Sequence, residues 1–296
     1  MGTPRVSVGL PVRNGANYLR DALTSLLAQT LADFELVIAD NASTDDTEAI
    51  CREFAARDDR IRYMRHDADM GAPRNFNFVF HEARAPYFRW AAHDDLVAPE
   101  NLAACVAMLD ADSTAVLAAP DTTYIDGSGV ALRQWRAAPG LEATRPGPRF
   151  APAAVAIPAG YGLIRSQVLE RTRLYQLFAG ADRVLLVELC LRGRFRRVPE
   201  QLFSFRDHAA SYSRAVHGAA REASWLDPQA TPSRSRHRMR VLQGCARAIR
   251  EAPLGARDRA ECWAQLGHLT VAWHRYLLTE AWDSIRGVGR ASEHRR

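Results

Sequence analysis

The chain has 296 residues, 47% hydrophobic and 25% charged, the balance of an ordinary globular protein able to bury a substantial core. That length suits one large domain, or one domain with an appendage. The net charge of +5, with arginine as the only basic residue besides histidine, suits an anionic partner without choosing among a nucleotide diphosphate, an anionic lipid surface and nucleic acid.

Residues 6–12 are apolar and β-branched, as a buried parallel strand requires. Leu19, Ala22, Leu23, Leu26 and Leu27 then fall on one face of a helix. Residues 34–39 form a second apolar strand ending at Asp40, and Ser43 and Thr44 are candidate caps for a helix that buries Ile50 and Phe54. A third strand is expected over 61–64, a helix over 71–83 and a fourth strand over 87–91. Pro99 opens a helix that runs to Leu109, and 115–119 reads as another strand. Residues 137–152, rich in Pro and Gly, read as a loop. Beyond them 156–165 reads as strand, 182–192 as helix, and 195–198 and 202–205 as short strands. From Ala219 the pattern turns helical, broken at Asp227-Pro228 and Pro232-Ser233, with helices near 236–250 and 256–285 and a frayed tail after Gly287. No internal repeat is present.

The alternation of strand and helix implies an α/β fold with a mostly parallel sheet flanked by helices. Ligands in such sheets bind beyond the carboxyl ends of the strands. Here those ends carry Pro11-Val12-Arg13-Asn14, Asp40-Asn41 and His93-Asp94-Asp95. No apolar run is long enough to span a bilayer, and the first residues lack the basic start and cleavage site of a signal peptide. A cytoplasmic location is therefore expected. The five cysteines form no CxxC pair and read as buried thiols.

Each candidate site residue has a chemical reading and a plainer one. Asp94 and Asp95 can share ribose hydroxyls and a divalent cation, which takes few protein ligands beside phosphate oxygens, or they can cap a helix. Asp40 can accept from the imide of a uracil, or close a turn. Asp182 can act as a general base, or favour a helix N-terminus electrostatically. His208 can complete a cation's coordination and Arg206 can neutralise phosphate, or both can be loop residues.

In order, these segments resemble glycosyltransferase family 2, whose enzymes have the GT-A fold. The likeness covers about residues 5–213. It begins with Val6-Ser7-Val8-Gly9-Leu10-Pro11-Val12-Arg13-Asn14 and continues through Ser25-Leu26-Leu27-Ala28-Gln29-Thr30. Phe34-Glu35-Leu36-Val37-Ile38-Ala39-Asp40-Asn41-Ala42-Ser43-Thr44-Asp45 follows, then Gly71, Arg74 and Asn75, and His93-Asp94-Asp95 in the place of the metal-binding DxD. Gly162 stands where the family has a glycine loop near the donor sugar. Asp182, eleven residues before Gly193, matches the "E-D … R-G" helix, and Phe205-Arg206-Asp207-His208 matches the closing "Y-R-x-H".

The resemblance implies an inverting, metal-dependent hexosyltransferase drawing on a nucleotide-sugar, UDP before dTDP or GDP. It would use Mn²⁺ or Mg²⁺ and serve polysaccharide, lipid-linked glycan or natural-product synthesis. Asp182 would be the base. Pro11, Arg13, Asn14, Asp40, Asn41, Arg74, Asn75, Asp94, Gly162 and Arg206 would meet the donor, and Asp95 and His208 the metal. A GT-A domain over 1–213, with a nucleotide-binding half to about 120 and an acceptor half to 213, would precede a helical region over 214–296. Two departures stand out: His93 replaces the first Asp of the triplet, and Ala181 replaces the Glu before the base. Glu188 is the fallback base.

A nucleotide-sugar-binding protein without turnover is the alternative, favoured by Ala181. A nucleotidyltransferase fits poorly, because residues 11–15 are not a Gly-rich basic loop. The acceptor is open among a glycan, a lipid-linked molecule and a small molecule, and no nucleic-acid partner is expected. Trp263, Trp273, Tyr276 and Trp282, interspersed with Arg, suit either core packing or peripheral contact with the inner face of a membrane, with packing preferred.

Overall fold

A computed structural model describes residues 2–209, 211, 219–229 and 237–278. Strands β1 (Val6–Val12), β2 (Phe34–Asp40), β3 (Ile61–Arg65) and β4 (Tyr87–Trp90) alternate with helices α1 (Leu19–Leu27), α2 (Thr47–Ala55) and α3 (Ala72–His81). β1 lies between β2 and β4, and β3 flanks β2, all parallel. Every residue of β1 and β2 is buried, so both faces of these strands carry helices.

The second half is mixed. β5 (Leu96–Val97) and α4 (Asn101–Asp110) precede the long β6 (Ala115–Ile125) and its hairpin partner β7 (Ala131–Trp135). Then come α5 (Pro146–Ala153), β8 (Leu163–Arg165), α6 (Ser166–Leu169), α7 (Ala181–Cys190) and β9 (Arg194–Arg206). One sheet results, in the order β3-β2-β1-β4-β8-β6-β9-β5, with β7 paired to β6. β8 runs antiparallel between β4 and β6 and joins the two halves.

Alternate side chains of the central strands feed two cores. Val8, Leu10, Leu36 and Ile38 pack with α1, α2 and α4. On the other face Val37 and Ala39 join Val79 of α3 and Val184 and Val187 of α7. The same core continues into the C-terminal helices α8 (Ala219–Leu226), α9 (His237–Glu251) and α10 (Ala256–Ala272), through Val241, Cys245 and Ile249 of α9 and Cys262 and Leu266 of α10. The inner faces of α9 and α10 thus pack on the core, whereas Trp263 and Tyr276 stay exposed, at 39% and 55%. Among the described residues no helix is long and apolar enough to cross a membrane. Trp282, Pro232-Ser233, and the expected helix end at 285 with the tail after it lie outside the described residues.

Several expectations need correction. Residues 156–165 are not one strand. A 3₁₀ turn spans Ile157–Tyr161 and only Leu163–Arg165 joins the sheet, since Pro158 has no N–H for a ladder. The expected loop at 137–152 contains a 3₁₀ turn at Pro139–Glu142 and helix α5, whose Phe150 and Ala153 are fully buried. Proline there suits a first helical turn. Arg149 holds the segment by donating to the carbonyls of Cys190, Ala143 and Thr144. The short strands at 195–198 and 202–205 are one strand, β9, kept continuous by a shift of register opposite Pro120 and Asp121. β6 runs past Ala119, and β7 carried no apolar signal because its side chains are mostly exposed. Ser43 and Thr44 do not cap α2. Asp45 accepts from the Thr47 amide and hydroxyl, and Ser43 is engaged with Asn14.

Gly9, in the middle of β1, gives a direct test of this packing. A Cβ there would lie 2.7 Å from the Phe88 ring and from Val79. Gly9→Ala is expected to cost about 1–3 kcal/mol by overpacking, whereas Gly267→Ala, in open space within α10, should be neutral or stabilising by up to about 1 kcal/mol. Urea unfolding of the two variants checks this.

Candidate active site

The carboxyl ends of β1, β2 and β4 open into a cavity of about 1360 Å³. Asn14, just past β1, adopts a left-handed φ of 51°, which asparagine tolerates. Its Oδ1 accepts from the Thr44 amide, and its own amide donates to Ser43 Oγ. The loops after β1 and β2 are thereby locked together. Arg13, at the cavity mouth, pairs with Asp69 at 3.2 Å, and Asn41 Nδ2 donates to the same carboxylate at 2.6 Å. Asp69 went unnoticed in the sequence; the available signal was a carboxylate two residues before Gly71, at the entrance to α3.

Not every expected donor residue faces this space. Pro11, Arg13, Asn14, Asn41, Asn75, Asp94 and Arg206 line it, whereas Asp40, Arg74 and Gly162 do not. Asp40 is fully buried and turned inward, accepting from the Ser43 amide and the Tyr63 hydroxyl. Both contacts brace the turn after β2. Arg74 reaches away to Asp227 at 3.1 Å. Gly162 is set by packing, since a Cβ there would meet the Ala118 carbonyl oxygen at 2.5 Å. Gly160 and Tyr161 of the same segment are the ones that border the cavity. Asn75 lines it but spends its Nδ2 on the Ala39 carbonyl.

The acidic centre follows β4. Asp95 is 6% exposed; its Oδ1 accepts from the Arg206 amide at 2.8 Å, and its buried Oδ2 has no hydrogen-bond partner. Burial, then the neighbouring Asp94, raise the Asp95 carboxyl well above the usual range, opposed by the Arg206 amide and the Arg89 and Arg206 guanidinium groups. Asp94 Oδ2 lies 2.9 Å from His208 Nε2. Burial lowers the affinity of His93 for a proton, against the pull of Asp94. The Arg206 guanidinium is spent on the carbonyls of Asp94, Asp126 and Gly127 and stacks over Tyr18. These contacts tie Arg206 to the loop that carries Asp94 and to the β6–β7 turn. Among the described residues no three His, Cys, Asp or Glu side chains gather as a cation-binding group. The orphaned Asp95 oxygen nevertheless fits a hard cation that takes one or two protein carboxylates and completes its sphere with phosphate and water.

Asp182 borders the same cavity from the first turn of α7. Gly180 before it takes φ 85°, the left-handed turn that starts the helix at this angle. Asp182 Oδ1 accepts from the Arg183 amide at 2.9 Å. Burial raises its carboxyl above the ordinary value, with Arg183 opposing. Glu188, the fallback, is 2% exposed, does not border the cavity and is bound by the Arg173 backbone amide and guanidinium. Its place is structural.

The sequence profile for Glycosyl transferase family 2 matches residues 7–171. The chain belongs to that family. Relatives in sequence include an uncharacterized glycosyltransferase of Rickettsia bellii, 39% identical over 101 residues, which are 33% of this chain and 14% of that protein. Glycosyltransferase GlyA of Streptococcus pneumoniae is 40% identical over 72 residues, 24% of this chain and 10% of GlyA. The chain thus spans only a minor part of these relatives. Among solved structures, S. aureus TarS 1-349 in complex with UDP-GlcNAc superposes with a TM-score of 0.68 at 15% identity, over 91% of this chain and 73% of that one. The mannosyltransferase PcManGT from Pyrobaculum calidifontis, in complex with GDP-Man and Mn²⁺, gives 0.51 at 17% identity, over 95% and 85%. At such identities the likeness shows the fold, which is the GT-A arrangement.

The strained charge at Asp95 makes a stability prediction for this family 2 member. Its carboxyl binds a proton more tightly in the folded state than in the unfolded one. Stability is therefore lost as pH rises from the ordinary carboxylate value near about 4 through the raised folded value. With chelator present, Asp95→Asn should raise Tm at pH 7 by roughly 2–4 °C for each kcal/mol relieved. The difference should vanish below about pH 4; scanning calorimetry across pH checks it.

Proposed function

We propose that this chain is an inverting glycosyltransferase that moves a sugar from a nucleotide diphosphate, UDP in the first instance, to an acceptor hydroxyl. The observation that carries the reading is the position of Asp182. A half-buried carboxylate of raised proton affinity borders one cavity with the Asp94–Asp95 pair, although the two lie far apart in sequence. UDP-GlcNAc and GDP-Man are the ligands named for TarS and PcManGT, and a nucleotide-sugar of this type is the donor proposed here.

Arg13, Asp69 and Asn41 form the polar ridge along which the base and ribose would lie, beside Asp94. Asp95, with His208 adjoining through Asp94, would hold a divalent cation. When bound, that cation supplies charge stabilisation for the departing diphosphate. Asp182 takes the proton from the acceptor hydroxyl, the hydroxyl oxygen bonds to the anomeric carbon, and the bond from that carbon to the diphosphate oxygen breaks with its electron pair. One displacement inverts the anomeric centre. A base with a raised pKa is the stronger proton acceptor in this step, provided it is ionised at the working pH.

Asp182→Asn is expected to cut kcat by roughly 10²-fold or more while nucleotide affinity holds, measured as UDP release with acceptor present. In the parent enzyme the rate should fall with acidification through the raised Asp182 pKa, above the ordinary carboxylate value, because the base is then protonated. Retention of the anomeric configuration, read by proton NMR of the product, would refute the single displacement. The alternative of a binder without turnover, favoured by Ala181, requires nucleotide binding with no UDP released under any acceptor condition.

A further inference from the structure

The cavity extends beyond Asp182. Its far wall comes from the C-terminal helices: Trp225 on α8, Arg238 and Val241 on α9, and Trp273 and Tyr276 just past the end of α10. These helices are seated closely against the donor side. Gly71, at φ 84°, opens α3, and a Cβ on it would lie 2.3 Å from the Leu226 carbonyl oxygen. Asp227 then pairs with Arg74 of α3 at 3.1 Å. On the base side, α9 rests on α7 so tightly that a Cβ on Gly180 would meet Val241 at 2.8 Å, and one on Gly244 would meet Val184 at 2.8 Å. The wall facing Asp182 is therefore built by contacts to both α3 and α7.

Resting on the glycosyltransferase reading above, we propose that α8, α9 and α10 form the acceptor subsite, and that the acceptor presents a saccharide ring there. Size is the first argument. A single small ligand occupies a pocket of about 300–1000 Å³, and this cavity of about 1360 Å³ has room for a second molecule beside a nucleotide-sugar. Chemistry is the second. Tyr276 is 55% exposed yet held in place by the Arg238 guanidinium, 4.2 Å from its ring centroid. Trp225 and Trp273 add large aromatic surfaces, and His237 and Arg183 stand on the same walls. A pyranose has an apolar C–H face and a rim of hydroxyls. Aromatic side chains with apolar bodies and polar tips match the face, and the interspersed arginine and histidine match the rim.

The test uses the full chain saturated with UDP and Mn²⁺, UDP binding being followed separately by calorimetry. A panel of methyl glycosides (gluco, galacto, manno and N-acetylglucosamine forms) is titrated while tryptophan fluorescence is read, with dodecyl phosphate as the lipid probe. At least one glycoside should bind. Tyr276→Ala and Arg238→Gln should each weaken it roughly three- to tenfold, the range for losing one stacking contact. Trp263→Ala should match the parent, because Trp263 does not border the cavity. Absence of binding by every glycoside, binding by dodecyl phosphate alone, or unaltered affinity in both cavity variants would overturn the subsite. Glycoside binding without UDP binding would support it while removing the donor reading, so the two stand or fall separately.

Discussion

Two adjacent carboxylates emerge from β4 into a largely dry corner, and Arg206 is what makes that arrangement tenable. Its amide donates to Asp95, its guanidinium holds the Asp94 carbonyl and those of Asp126 and Gly127, and its flat face rests on Tyr18. One residue at the end of β9 thus joins the strand end that bears the acids to the β6–β7 hairpin and to the start of α1. Behind the pair, Arg89 is buried and hydrogen-bonded to Asn101, with its pKa drawn down to about 10 by burial. Both guanidinium groups offset the charge of Asp95 without contacting its second oxygen, which remains buried and unsatisfied. A buried unpaired carboxylate oxygen is costly, and a cation of the kind proposed above would offset that cost.

The first half of the fold was legible because its signals are local and agree with one another. β1 and β2 are continuous apolar runs, their helices have a single apolar stripe, and the polar residues fall at strand ends. The second half was not, because its elements owe their form to distant partners. β8 is three residues long and exists because β4 and β6 lie on either side. α5 is a Pro-rich segment made helical by Arg149 and by burial of Phe150 against the α7 side of the core. β7 is mostly exposed, with Trp135 packing against the core.

The site shows the same division. Motif positions located the strand ends and the helix bearing Asp182, since spacing fixes where a residue sits along the chain. Direction of the side chain was beyond that reach. Asp40, Arg74 and Gly162 occupy family positions, yet Asp40 accepts an inward hydrogen bond from Tyr63, Arg74 pairs with Asp227, and Gly162 packs where a Cβ would meet the Ala118 carbonyl oxygen. Asp69 illustrates the converse. It stands in an unremarkable loop and becomes notable because the ends of β1 and β2 bring Arg13 and Asn41 to it.

The contact between Gly71 and Leu226 also bears on how such a chain can be re-engineered. With the acceptor subsite proposed above, the helices that close the far wall become the segment to exchange when a different acceptor is wanted. Here that segment is keyed to the nucleotide half by a missing side chain at 71 and by the Arg74–Asp227 pair. A chimera that imports 219–278 without matching both positions would either wedge α8 off the body or leave a guanidinium without its counter-ion. Swaps that travel with α3 should assemble where shorter ones fail.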